Sequence, residues 1–189
     1  MRISFIIIFS ISVNAAIGQD STTHYFKEIG WTIHLPLDFK VLNSEQNSTI
    51  VNNGRKEIQQ TLDTNVNILK AINLISAKKS KNYFNATLTR TNSKNDTAQA
   101  RFRKSQEEVI YRAFSKDAKV DSSSTVMTVG TKLFRKFEMI VHVNEATSFH
   151  MNLVTKIYSE FYFVITYLYL DIATREQIET MLTESKFSK

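Results

Sequence analysis

The sequence predicts an α+β fold, in which an antiparallel sheet is flanked by helices on both faces as an α/β/α sandwich. Three observations predict it. Apolar and polar side chains alternate along much of residues 132–158, as in strands with one buried face. The next stretch, Phe161–Leu170, is apolar on both faces, which is typical of a strand covered on both sides. Amphipathic helices are predicted to begin at Asp96 and near Thr174.

The first half of the chain predicts short strands and one helix. Pro36 ends one strand, and apolar residues at every fourth position from Ile50 favour the helix. The predicted elements are strands at Tyr25–Lys27, Trp31–Leu35, Phe39–Leu42, Leu69–Ala77 and Tyr83–Thr91 and a helix at Asn52–Asp63.

The second half predicts a long helix over 96–115, then four strands and a closing helix. Asp96 with Gln99 resembles a capping box, and so does Thr174 with Gln177. The predicted strands are Ser122–Val129, Lys132–Val143, Ser148–Tyr158 and Phe161–Leu170, with a turn at Gly130-Thr131 after the first of them.

Residues 1–18 predict a cleavable secretory signal peptide. Arg2 is followed by an apolar stretch, Ile3–Val13, of about eleven residues, too short to span a bilayer. Ala16 and Gly18 supply the small side chains that a signal peptidase requires, so cleavage is predicted before Gln19. A cut after Ala16 is the alternative. The protein is therefore expected to be exported, to a periplasm in preference to the extracellular medium.

Composition favours one domain over residues 19–189, with no linker, repeat or transmembrane segment. There is no cysteine, so an exported form must be held by its core and not by disulfides. The formal net charge of +6 is ordinary for a soluble protein, and export makes nucleic acid a poor partner.

Three stretches of the sequence resemble the PsbP-like fold family. They are Trp31–Pro36 followed by Phe39-Lys40-Val41, the helix from Asp96 with the strands after it, and Ile178–Leu182 followed by Ser185-Lys186-Phe187. The family includes the extrinsic P subunit of the photosynthetic oxygen-evolving complex and exported bacterial proteins such as DcrB. The resemblance implies the α/β/α sandwich and no shared active site, and fold alone does not fix function.

Two histidines are candidate metal ligands. If Val141 pairs with Met151, His142 lies opposite His150 on the outer face of a hairpin, where the two imidazoles could share Zn²⁺ or Cu²⁺. No third ligand is evident, since Glu138 lies four residues away along the strand. The alternative is a pair of ordinary exposed histidines.

Six basic residues could form a patch for an anionic polymer or lipid head group, although solvated turns and helix faces give the same pattern. They are Lys78, Lys79, Lys81, Arg101, Arg103 and Lys104. The aromatic residues of 161–169 could line an apolar pocket, or belong to the core.

No catalytic motif is present: there is no Gly-x-Ser-x-Gly elbow, and Glu107 and Glu108 are expected on a solvated helix. The sequence therefore favours an accessory or binding protein, not an enzyme, that needs no cofactor. We expect a monomer or weak oligomer that engages another envelope or secreted protein through a sheet edge or helix face. The alternatives are a carrier of a small apolar ligand between the sheet and helix 96–115, and a hydrolase whose site is not evident.

Overall fold

The computed structural model describes residues 23–62, 71–90, 96–158 and 160–188. The predicted signal peptide lies outside these residues. The strands are β1 (Thr23–Phe26), β2 (Trp31–His34), β3 (Lys40–Val41), β4 (Ala71–Lys79), β5 (Asn82–Arg90), β6 (Lys119–Val129), β7 (Lys132–Asn144), β8 (Thr147–Tyr158), β9 (Phe161–Tyr169) and β10 (Lys186–Phe187). The helices are α1 (Ser44–Leu62), α2 (Asp96–Ser115) and α3 (Ile172–Glu184).

Seven strands form an antiparallel sheet in the order β3-β4-β5-β9-β8-β7-β6, and β1, β2 and β10 form a smaller sheet. The sequence predicts three consecutive antiparallel strands between residues 132 and 170, and this is confirmed by β7, β8 and β9. Strand β9 lies between β8 and β5 in the sheet. Helices lie on both faces of the large sheet, so the predicted fold class is confirmed.

Each face of the large sheet has its own apolar cluster. On the face covered by α3 and the small sheet, called the α3 face, Phe84, Val154 and Ile165 are fully buried together with Ile178 of the helix. On the opposite α2 face, a smaller cluster centred on Met139 packs against α2. The doubly apolar strand β9 is central in the sheet, as its sequence predicts.

Aromatic side chains join the small sheet to the large one. The Trp31 ring meets Phe163 edge to face, with centroids 5.1 Å apart, and Phe134 meets the same Phe163 ring at 5.7 Å. Phe187 of β10 stacks on both Trp31 and Phe134. Such pairs stabilise beyond the area that they bury, so this cluster fixes where the small sheet sits.

The β6–β7 turn requires glycine at position 130. Gly130 has φ +56°, and a Cβ atom there would lie 2.5 Å from the carbonyl oxygen of Ser185. Its backbone N–H donates to the carbonyl of Leu182 at the end of α3 over 2.9 Å. The predicted Gly130-Thr131 turn is confirmed, and it anchors the end of the helix to the edge of the sheet.

Two helix starts differ from the sequence prediction. Helix α1 begins at Ser44 and not at Asn52, because Asn43 and Gln46 exchange backbone and side-chain hydrogen bonds as a capping box. Helix α3 begins at Ile172, since the Asp171 carboxylate accepts the Thr174 N–H over 2.7 Å. The helix predicted over residues 96–115 is confirmed, since α2 has the same bounds.

The predicted register of the β7–β8 hairpin is wrong by two residues. Val141 pairs with Phe149 and not with Met151, and His142 pairs with Ser148. The cause is the tight turn, in which Asn144 pairs with Thr147 after a local irregularity. A shift of two residues keeps each side chain on its face, so the apolar faces still match.

Candidate functional site

The two histidines proposed as metal ligands lie on the α3 face but not opposite each other. The Nε2 atom of His142 is 2.8 Å from Oδ2 of Asp121, and the His150 ring stacks on Tyr169 at 4.7 Å between centroids. Within the part of the chain that the structure describes, no group of three His, Cys, Asp or Glu side chains could hold a metal ion. A shared metal at His142 and His150 stays a prediction.

The structure does not bring the six basic residues together. Lys78, Lys79 and Lys81 lie at the β4–β5 turn, next to the end of β9 that contains Leu168, the partner of Tyr83. Arg101, Arg103 and Lys104 flank Phe102, whose ring contacts Tyr162 near the other end of β9. Six residues of strand, about 20 Å, separate these two ends.

Lys79 is also engaged within the fold. Its ammonium group is 2.6 Å from a carboxylate oxygen of Asp38 and donates to the Gln177 side chain over 2.7 Å. This ion pair holds the pKa of the Asp38 carboxyl below its ordinary value. Anion binding by the six residues remains a prediction, now limited to two separate groups of three.

A concentrated set of polar side chains lies on the α3 face, where β7, β8 and β9 meet the first turns of α3. We call it the polar cluster. Its members are Lys136, Glu138, His150, Asn152, Tyr167, Tyr169, Arg175 and Glu179.

Two carboxylates organise the polar cluster. Glu179 accepts from the ammonium group of Lys136 over 2.7 Å and from the Tyr167 hydroxyl over 3.1 Å. Glu138 accepts from the Tyr169 hydroxyl over 2.9 Å, and its other oxygen is 3.7 Å from the same lysine. Lys136 therefore bridges a strand carboxylate and a helix carboxylate, which ties α3 to β7.

Burial changes the ionisation of the rings in the cluster. It raises the pKa of Tyr169 to about 12, and the hydrogen bond to Glu138 adds to this rise. Burial also lowers the pKa of His150. The negative charge of Glu138, whose carboxylate oxygen is 3.9 Å from Nδ1 of His150, opposes this by a smaller amount. Because the ordinary histidine value is already below 7, the His150 imidazole is neutral at pH 7.

Asn152 is the most unusual member of the cluster. It is fully buried in the middle of β8, between Glu138 of β7 and Tyr167 of β9. Neither atom of its carboxamide has a hydrogen bond of normal geometry, and the Tyr169 hydroxyl is the polar group close enough to interact with it. The Nδ1 atom of His150 and the Nε atom of Arg175 are also buried without hydrogen bonds. Most buried polar groups in proteins are paired, so four such atoms in one place set this site apart.

The outer side of β6, called the β6 edge, is a second candidate site. Among the described residues β6 pairs only with β7, over eleven residues from Lys119 to Val129 without any register shift. Six consecutive residues, 121–126, have exposed side chains. Unpaired backbone groups along a regular edge can pair with another strand.

A partly buried ion pair joins α2 to the sheet. Glu107 is buried, contrary to the expectation of a solvated carboxylate, and it holds Arg135 of β7 through contacts of 2.8 and 3.2 Å. Glu108, one position on, is exposed and pairs with Arg112 as the helical spacing predicts.

Part of the polar cluster could be predicted from the sequence. The outer face of 148–158 carries His150 and Asn152, and the doubly apolar strand beside it indicated that this face is covered. The helix residues Arg175 and Glu179 have no such signal, because their contacts depend on where α3 crosses the sheet.

The aromatic residues of β9 belong to the core. Phe163, Tyr167 and Tyr169 are part of the main apolar cluster on the α3 face, and Tyr162 points to the opposite face, where it meets Phe102 of α2. A small apolar ligand between the sheet and α2 stays a prediction.

Together these features define an α+β sandwich with a polar cluster on one face and an edge strand, β6, that pairs on one side only among the described residues. It has the PsbP-like fold. The solution structure of cyanobacterial PsbP (CyanoP) from Synechocystis sp. PCC 6803 matches with a TM-score of 0.56 and 6% sequence identity, over 94% of this chain and 99% of that one. The predicted resemblance is thereby confirmed at the level of the fold.

A second similar structure is that of LpqN, described as involved in cell envelope biogenesis of Mycobacterium tuberculosis. Its TM-score is 0.46 and its identity 11%, over 89% of this chain and 90% of that one. No family model matches the chain, and no curated protein does. None of the described helices has the length and apolarity that a membrane span requires.

Proposed function

We propose that this protein is an exported, non-catalytic binding protein that takes up an extended segment of another envelope or secreted protein at the β6 edge. The observation that carries the proposal is the regular, eleven-residue ladder from Lys119 to Val129 with one side unpaired among the described residues. An added strand would continue the sheet through main-chain hydrogen bonds.

The β6 edge lacks the features by which proteins usually protect edge strands. Charged side chains, proline and bulges keep other strands from pairing. Here charges occur only at Lys119 and Asp121, and residues 122–129 are serine, threonine, valine and methionine in a ladder without a bulge. The small side chains leave the backbone of this segment accessible to a partner strand.

Two exposed apolar side chains give an incoming strand something to pack on. Val126 is 64% exposed and Leu133, on the neighbouring strand β7, is 65% exposed. Both lie on the α2 face, because Val126 pairs with Arg135 and Leu133 pairs with Thr128. Burial of this pair would add hydrophobic free energy to the main-chain pairing.

The expected result of Val126→Lys is at least a tenfold loss of affinity for the partner, because an apolar contact is replaced by a charge at the edge. A photo-crosslinking residue at Thr128, introduced in the native host, first identifies the partner. Calorimetry with the purified partner then measures the affinities of the wild-type protein and of Val126→Lys. A tenfold change corresponds to about 1.4 kcal/mol, within the contribution of one buried valine.

The matched control is Val41→Lys. Val41 is 51% exposed on β3, at the opposite edge of the same sheet, and this variant is expected to bind the partner normally. Equal losses in the two variants, or crosslinks from Thr128 only to a second copy of this chain, would contradict the proposal.

The proposal that the protein is exported rests on the signal peptide predicted for residues 1–18. We expect the protein purified from its host to begin at Gln19, which N-terminal sequencing and intact mass would show. Gly18→Arg is expected to block that cleavage, since the position before the cut must be small. A start at Ile17 would correct the cleavage site only, whereas a protein that retains residues 1–18 and stays inside the cell would refute export.

A further inference from the structure

We propose that the polar cluster is a binding site for an uncharged sugar ring, whose adjacent hydroxyls pair with Asn152. This goes beyond the proposed binding of a protein strand and involves another part of the surface. Its basis is the set of buried, unpaired polar atoms together with the balance of charge around them.

The unpaired atoms include both donors and acceptors. The Asn152 carboxamide offers an N–H donor beside a carbonyl acceptor, and Arg175 offers an Nε–H donor. Nδ1 of neutral His150 donates or accepts according to its tautomer. Leaving such groups buried and unpaired is unfavourable, and a ligand that pairs with them removes this penalty.

The charges in the cluster are balanced, which favours an uncharged ligand. Lys136 lies between Glu138 and Glu179, and Arg175 is 3.8 Å from the second of these carboxylates. Two positive and two negative groups therefore compensate each other, with His150 neutral. An anion or a cation would have to break one of these ion pairs to find a free counter-charge.

Hydroxyl groups match this mixture of donors and acceptors. Each hydroxyl donates one hydrogen bond and accepts up to two. Of two adjacent hydroxyls on a sugar ring, one can donate to the Asn152 carbonyl while the other accepts from its amide. The carboxylates of Glu138 and Glu179 can accept further hydrogen bonds from hydroxyl groups at the rim. A polyhydroxylated ring can therefore pair with all the unpaired polar groups of the site.

An aromatic surface borders the same place. The His150 and Tyr169 rings stack with an angle of 12° between their planes. Tyr169 is buried, so the ring that stays partly exposed, at 28% of its side chain, is that of His150. A flat ring face next to hydrogen-bonding groups suits the apolar face of a sugar ring.

Solvent reaches the rim of the site, where the side chains of His150 and Arg175 are 28% and 40% exposed. The helix starts beside Asn82 of β5 and ends at Gly130, next to the β6–β7 turn. The part of β7 and β8 that holds His150 therefore lies beside the helix and not beneath it. Because Asn152 has no exposed surface, side chains at this rim have to shift before a ligand can reach its carboxamide.

The ligand could be a free sugar or a sugar unit of a glycan, and both offer the same hydroxyl chemistry. The test uses the mature chain labelled with ¹⁵N, and follows side-chain amide resonances during titration with glucose, galactose, mannose and N-acetylglucosamine. Maltopentaose and chitopentaose are titrated in parallel. We expect the Asn152 resonances to shift on saturable binding of at least one sugar, while those of buried Asn82 stay in place.

Tighter binding of a pentasaccharide than of its monosaccharide, by tenfold or more, would identify a glycan as the source, and equal binding would identify the free sugar. Asn152→Leu is expected to weaken binding at least tenfold and Arg175→Gln severalfold, with both variants folded by circular dichroism. A failure of every sugar to shift the Asn152 resonances, or full binding by Asn152→Leu, would overturn the proposal.

Discussion

Phe163→Ala lowers the free energy of unfolding by about 3–5 kcal/mol, the cost of truncating a fully buried aromatic ring. Phe163 has no exposed surface, and it touches Trp31 and Phe134 edge to face. Because Trp31 belongs to the small sheet and the other two residues to the large one, the cavity would open where the two sheets join. The loss is therefore expected near the upper end of the range.

Urea denaturation followed by tryptophan fluorescence measures this loss, since Trp31 is the single tryptophan in the chain and lies against the mutated ring. The matched control is Phe102→Ala on α2, where the ring is only partly buried against Tyr162 on the opposite face. Phe102→Ala is expected to lower the free energy of unfolding by less than half as much as Phe163→Ala does. Equal costs would show that the aromatic cluster around Trp31 does not dominate the core.

Asn152→Leu raises the free energy of unfolding by about 1–3 kcal/mol, although it changes a fully buried residue. The reason is that its carboxamide is desolvated and has no well-formed hydrogen bond, with only the Tyr169 hydroxyl close to it, so an apolar side chain of similar volume removes a desolvation penalty and gives up little. Thermal and urea unfolding measure the gain.

Asn82→Leu is the matched control, and its effect has the opposite sign. Asn82 is also buried, but its carbonyl accepts the Leu170 N–H over 2.9 Å and its amide donates to Thr174 over 3.2 Å. Replacement leaves those groups unpaired and is expected to cost about 1–3 kcal/mol. If both leucine variants destabilise the protein, the Asn152 carboxamide is paired in solution and the argument from it fails.

Local patterns predicted much of the fold. The alternation of apolar and polar residues along 132–158, together with the strand 161–170 that is apolar on both faces, was sufficient to predict a central strand with helices on both sides of the sheet. Helix boundaries were less predictable where capping was misassigned. Asn43 caps α1 and Asp171 caps α3. Thr174 was expected to accept a hydrogen bond as the cap of α3, but it donates its own N–H to the Asp171 carboxylate.

The candidate sites were harder to predict because they depend on distant contacts. The expected pairing of His142 with His150 failed at the turn around Asn144, where the ladder has an irregularity, and the observed register differs from the predicted one by two residues. The polar cluster requires β9 to lie beside β8 and α3 to cross both. Glu179 reaches Lys136 across 43 positions of sequence, and no local pattern specifies such a contact.

The pairing of β10 with β2 has a consequence for the timing of folding. Phe187 pairs with Trp31, and Ser188 donates its N–H to the carbonyl of Gly30, 158 positions earlier. A growing polypeptide, or one threading through a channel from its amino end, cannot seal the aromatic cluster until residues 186–188 have emerged. Contacts of such long range form slowly. The small sheet and its aromatic cluster are therefore expected to be completed only once residues 186–188 are available to pair with β2.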